Sequence, residues 1–170
     1  PILRSRRELN NKYPLRSLTI DNYNTTQASD IVAAVGTTNG RVFLVSLSKN
    51  LSDISFKSNR QLSSLKINTQ VAYPIHDLVF HPTSKTLACG GGDGVVAVWD
   101  IQNKNPVYTS KQDILPITSI GYNQEGSLMA CAVGYDWSRG IQAYKYNAMK
   151  TKIYIRHCNE ELNCQPPIMI

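Results

Sequence analysis

The chain has 170 residues, of which 42% are hydrophobic and 18% charged, which excludes a disordered polymer and fits one domain over 1–170. No apolar run approaches the ~20 residues that cross a bilayer, so no membrane partner is expected. Eighteen Lys and Arg against twelve Asp and Glu give a net charge of +6, which favours acidic or phosphorylated partners, or nucleic acid.

In chain order, Ile2-Leu3 reads as an incoming strand and 1–7 show no apolar signal region. An alternating segment at 15–20 is followed by an apolar run at 31–36, an Asn39-Gly40 turn and a second run at 41–45. The polar stretch 46–70 holds an outer strand at Ile54-Ser55-Phe56 and a loop. The same order recurs at 75–80, 87–90, Asp93-Gly94 and 95–99. It recurs again at 117–122 and 128–134, with a longer excursion before Ile153-Tyr154-Ile155. Each unit is strand, turn, buried strand, turn, strand. The only helix-like stretch is 159–163, ended by Pro166-Pro167.

The most specific unit is 89–100. Asp93-Gly94 between two apolar runs is a hairpin signal, because Gly accepts positive φ without steric cost. The hairpin closes on Trp99-Asp100, the mark of a WD-repeat β-propeller blade. The spacing from Ile75 to Ile117 falls in the ~40–45-residue period of such blades. The fold class is therefore all-β, with blades expected near 13–57, 73–110 and 115–157. A closed ring takes about four to eight blades. Three leave two open edges, so the chain is expected to be the C-terminal part of a larger propeller and not to fold stably alone.

Chemistry finds little support. Gly90-Gly91-Gly92-Asp93-Gly94 leads into a strand, whereas a phosphate loop needs Gly-Lys-Ser/Thr entering a helix. Cys89, Cys131, Cys158 and Cys164 have no zinc spacing with His76, His81 and His157, and read as free thiols of a reducing compartment. The sequons at Asn24 and Asn50 then carry no sugar. No enzyme activity, cofactor, metal or small-molecule substrate is expected. Asp93 and Trp99 match half of the hydrogen-bonded tetrad of a WD blade and read as structural. The upstream His of that tetrad is missing from 69–74, and Cys89 stands where Ser or Thr is usual. Arg41 follows the Asn39-Gly40 turn and projects from one rim, while Lys57, Arg60 and Lys85 lie on loops flanking the second blade. Clustered on one face, these would read carboxylate or phosphate through charge-assisted hydrogen bonds. Trp137 and Arg139 suggest an aromatic platform beside a cation.

Several motifs together are more specific: Arg6-Arg7-Glu8 with Lys12-Tyr13, Gly40-Arg41-Val42, Phe56-Lys57 with Arg60, Ala72-Tyr73-Pro74-Ile75 and Phe80-His81-Pro82. Tyr135-Asp136-Trp137-Ser138-Arg139-Gly140 and Ile153-Tyr154-Ile155-Arg156 complete the set. Over 6–162 the chain resembles the WD-repeat family of Bub-type spindle-checkpoint proteins and Rae/Gle-type messenger-RNA export factors. The resemblance implies a seven-bladed, non-enzymatic propeller in the nucleus, at kinetochores, with a cytoplasmic pool. It implies that Arg41 pairs with glutamates of a short peptide found in checkpoint kinases or a nucleoporin. Lys57 and Lys85 match basic residues that read phosphorylated threonine motifs on a kinetochore scaffold. The chain departs from the family at Ser58-Asn59, where Cys-His is usual. The main expectation is a spindle-checkpoint adaptor. The alternative is an export factor binding a nucleoporin peptide, with RNA stacking on Trp137 beside Arg139.

Overall fold

Three antiparallel sheets follow one another in the computed structural model, which describes residues 8–21, 32–46, 54–63, 68–146, 148–159 and 161. The strand expected at Ile2-Leu3, the Arg6-Arg7 pair, the sequons at Asn24 and Asn50, Cys164 and most of 159–163 lie outside the described residues.

The first sheet is ordered β1 (Leu15–Ile20), β2 (Val32–Thr37), β3 (Arg41–Ser46), β4 (Ile54–Lys57). A two-stranded ribbon follows, β5 (Arg60–Leu62) with β6 (Gln70–Ala72). The second sheet is β7 (Ile75–Phe80), β8 (Thr86–Gly91), β9 (Val96–Asp100), β10 (Asn105–Thr109). The third is β11 (Ile117–Tyr122), β12 (Leu128–Val133), β13 (Lys152–His157). The ribbon corrects the sequence reading of 46–70 as one outer strand and a loop. Its Arg60–Ala72 pairing closes a second, smaller hairpin between two sheets.

Strand order explains the burial pattern. β8 is central and buried along its whole length. Because successive side chains alternate in face, Leu87 and Cys89 pack towards β1–β4, with Ala34, Val42, Leu44, Phe56, Ile75, Leu78 and Phe80. Ala88 points the other way, into a layer with Val96, Val98, Ile117, Ile120, Met129, Cys131 and Val133. Each large aliphatic side chain buried there contributes roughly 1.5–3 kcal/mol.

The first strand of each sheet carries the same irregularity. Pairing skips one residue between Leu15 and Ser17, between Ile75 and Asp77, and between Ile117 and Ser119. These bulges set Arg16, His76 and Thr118 at equivalent places on three adjacent inner strands. The residues beside them join neighbouring sheets. Ser17 Oγ donates to the Ile75 carbonyl at 3.2 Å. Asp77 Oδ2 accepts from Ser119 Oγ at 2.9 Å and from the Ile120 amide at 2.7 Å. Gly90 makes the approach possible, because a Cβ there would lie 2.6 Å from Ile117 and 2.7 Å from Ile120. The two outer flanks stay apolar and open, with Leu18 66% exposed on β1 and Ile153 74% exposed on β13.

Candidate partner-binding face

The β2–β3 turn, the end of β4, the start of β7 and the β8–β9 turn all fall at one end of the sheets, as the antiparallel registers require. Arg41 and Lys57 are direct cross-strand partners at this end. The Arg41 guanidinium donates to Ser55 Oγ at 3.1 Å through Nη1, and Lys57 is exposed. Arg60 Nη2 donates to the Asn39 carbonyl at 3.0 Å, so it braces the turn that presents Arg41. Arg60 Nε is buried without a partner. Three cations thus share one rim. Lys85 does not join them. It lies in the β7–β8 connection, at the opposite end of the second sheet, where its carbonyl accepts from the Ile101 amide. β7 carries the chain across the whole sheet before Lys85 is reached.

A directed hydrogen-bond relay lies under the rim. Trp99 Nε1 donates to Ser58 Oγ at 3.1 Å, Ser58 Oγ to Asn59 Oδ1 at 2.9 Å, and Asn59 Nδ2 to Asp93 Oδ1 at 2.8 Å. Asp93 also accepts from the Val95 amide at 3.2 Å, which shapes the hairpin turn. Asn59 therefore takes the part of the tetrad's His in this relay, from a position upstream of the ribbon and outside 69–74. Ser58 supplies the hydroxyl that Cys89 lacks. Burial pushes the Asp93 carboxyl above its usual value, against the opposing Asn59 and Val95 bonds. Burial also pushes the Cys89 thiol up, so it is inert, with the Ser58 contact opposing. Phe56 packs on Trp99 at 4.7 Å between ring centroids.

The second feature is the excursion after β12. Trp137 adopts a left-handed φ of 60°, a conformation that costs a non-glycine residue about 1–2 kcal/mol. Asp136 Oδ1 compensates by accepting from the Ser138 amide at 3.1 Å and from its hydroxyl at 2.8 Å. Tyr135 OH donates to the Gly140 carbonyl at 2.8 Å and closes the loop. Trp137 is 55% exposed, yet its ring is held by Tyr135 at 5.3 Å and Tyr144 at 5.0 Å. The sequence pointed to Trp137 but not to Tyr144, which arrives after a 3₁₀ turn at Ile141–Ala143. Arg139 is not stacked on Trp137, since the cation–π pairs among the described residues are Lys152–Tyr154 and Arg156–Tyr108. It lines a cleft of about 300 Å³ with Tyr73, Pro74, Gly92, Pro116 and Tyr135.

That cleft joins the two features. The Tyr73 amide donates to the Asn59 carbonyl at 3.0 Å, and the Gly92 amide to the Pro74 carbonyl at 2.9 Å. Tyr73-Pro74 therefore links the Arg41 rim on one side with the Arg139 wall on the other.

The other polar candidates are internal. His81 Nδ1 accepts from the Thr83 and Ser84 amides at 3.2 and 3.1 Å, and its Nε2 lies 2.9 Å from the Gly126 carbonyl. Burial holds its pKa below the usual value, with the Gly126 bond opposing. Cys89, Cys131 and Cys158 are buried, and none of the three is in a disulfide among the described residues. Among the described residues no three His, Cys, Asp or Glu side chains are grouped to hold a metal ion.

Stacked antiparallel sheets with equivalent inner-strand bulges and a Trp–Ser–Asn–Asp relay define a WD-repeat β-propeller protein. The family model described as "WD domain, G-beta repeat" matches residues 59–100, which begins at Asn59 and ends at Asp100. The WD40 repeat protein poxJ of Penicillium oxalicum is 34% identical over 137 residues, covering 78% of this chain and 38% of poxJ. Protein Rae1 of Drosophila melanogaster is 34% identical over 131 residues, covering 76% of this chain and 37% of its own. The spindle assembly checkpoint protein bub3 of Schizosaccharomyces pombe is 41% identical over 80 residues, covering 47% of this chain and 24% of its own. The chain is a WD40-repeat protein related to Rae1-type mRNA export factors and to bub3. It spans well under half the length of these relatives.

Proposed function

We propose that the chain is the partner-binding part of a non-enzymatic adaptor of the messenger-RNA export type. Arg41, Lys57 and Arg60 anchor an acidic peptide of a nucleoporin, and the Trp137 loop takes single-stranded RNA. The observation that carries this reading is the continuity of one face, from the Arg41 rim through Tyr73-Pro74 to Arg139 and the exposed Trp137 ring. Cationic side chains favour carboxylate and phosphate, and an exposed indole offers a surface on which bases stack. The comparisons support export over checkpoint, since relatives named Rae1 or mRNA export factor outnumber bub3. The weight therefore moves from the checkpoint reading to the export alternative. Nuclear residence, with a cytoplasmic pool, follows from that role.

A checkpoint adaptor is the second reading, favoured by the higher identity to bub3 over a shorter stretch. Its partners are checkpoint kinases and a kinetochore scaffold, bound through acidic or phosphorylated motifs at the same rim. Capture with the full-length protein from interphase and mitotic extracts separates the two. A nucleoporin and messenger RNA support export, whereas checkpoint kinases without RNA overturn it.

A further inference from the structure

His76 occupies the β7 bulge between Arg16 of β1 and Asp136 of the loop after β12, so three sheets meet at one imidazole. Arg16 Nε donates to His76 Nδ1 at 2.7 Å. That bond makes Nδ1 an acceptor and leaves the ring proton on Nε2. Nε2 lies 2.9 Å from Asp136 Oδ2, but it makes no directed hydrogen bond, so the contact is electrostatic. The His76 and Asp136 side chains are only 5% and 7% exposed.

Asp136 has a second task. Its Oδ1 holds the Ser138 amide and hydroxyl, and between these two residues sits Trp137 in its left-handed conformation. One carboxylate therefore faces His76 with one oxygen and fixes the Trp137 turn with the other.

We infer that His76 is a positioning residue for the loop of Trp137 and Arg139, and that a proton competes with the Arg16 guanidinium for the lone pair on His76 Nδ1. The functional consequence rests on the reading of that loop as a binding surface; the coupling itself does not. A proton on Nδ1 expels Arg16 and makes the ring a cation. Asp136 Oδ2 is then drawn to it, and the shift passes through Oδ1 to Ser138 and Trp137. The charged groups that face the ring are Arg16 from β1, Asp136 from the loop and Asp93 from the β8–β9 turn. Burial first, and Arg16 second, hold the imidazole below its usual pKa, against the two carboxylates. The relay is therefore set at neutral pH and released on acidification.

Nuclear magnetic resonance of the full-length protein tests this, following the His76 ring and the Trp137 indole N–H between about pH 7.5 and about pH 5. Both signals are expected to move with one midpoint below that of a free histidine. Arg16→Gln should raise the midpoint, because the competitor for Nδ1 is gone. His76→Gln cannot take a charge and should abolish the movement of the Trp137 signal. The inference is overturned if Trp137 titrates unchanged in the His76→Gln chain, or stays fixed while His76 titrates. Failure to bind an RNA oligonucleotide at every pH, with the coupled titration intact, overturns the proposed function and upholds the relay.

Discussion

Asn59 Nδ2 donates to Asp93 Oδ1 at 2.8 Å across 34 positions of sequence, and both residues are buried. The bond joins the β4–β5 connection to the β8–β9 turn, so it couples two sheets under the Arg41 rim. Asn59→Ala leaves a buried carboxylate one partner short, which costs about 1–3 kcal/mol. Asn59→His should retain most of the stability, since an imidazole can donate to the same oxygen. Denaturant unfolding of both variants checks this. Equal stability of Asn59→Ala and the parent would mean that solvent reaches Asp93.

The sheets were legible because their signals are local. Alternation, the Asp93-Gly94 turn and the Trp99-Asp100 ending each sit within one hairpin, and all reappear in the second sheet. The Asn59 relay was not read because it is non-local. The tetrad's upstream member was sought just before Ile75, whereas the β5–β6 ribbon separates Asn59 from that strand. A signal was present, since Ser58-Asn59 stands where the family carries Cys-His. Lys85 flanks the second sheet as the sequence suggests, but β7 places it at the end opposite the rim. The partners of Trp137 were only half legible, because Tyr135 is two residues away and Tyr144 depends on the path of the intervening loop.

Arg41 and Lys85 give opposite expectations from one assay. Arg41→Glu puts an anion beside an acidic peptide and should weaken its binding by about 2–5 kcal/mol. Lys85→Glu makes the same change of net charge at the far end and should leave affinity within error, apart from a small effect at low salt. Calorimetry of the full-length protein with an acidic peptide distinguishes them. Equal losses in both variants would mean that only net charge matters and that the rim is not a site.

Stability should fall on mild acidification. His76 and His81 both titrate below the usual histidine value of 6.5, chiefly because they are buried. Between the folded and unfolded values the unfolded chain binds more protons, so unfolding free energy rises with pH. The contribution is complete above about pH 6.5 and is lost as pH falls through the folded values. Asp113 adds a separate loss at lower pH. Its carboxyl is held at about 2, first by the Lys152 ammonium against the cost of burial, with the Leu115 amide and Tyr154 hydroxyl adding to the lowering. Urea midpoints at about pH 7.5 and about pH 5.5 should differ in the parent, and His76→Gln should narrow the gap. A flat profile between those two values would show that both imidazoles protonate as freely in the fold as in the unfolded chain.

Trp137 separates binding from folding. The residue is more than half exposed, so little apolar burial is lost with it. Base stacking on an aromatic side chain is worth about 1–3 kcal/mol per base, and Trp137→Ala should remove that much affinity for single-stranded RNA. Trp137→Gly should bind RNA equally poorly. It should nevertheless be the more stable variant by about 1 kcal/mol, because glycine adopts positive φ without the steric cost that alanine retains. Thermal melts and RNA titrations of the pair measure both effects. If the glycine and alanine variants melt together, the loop relaxes out of its left-handed turn once the indole is gone, and the Tyr135 and Tyr144 contacts hold that turn in place of the Asp136–Ser138 bonds.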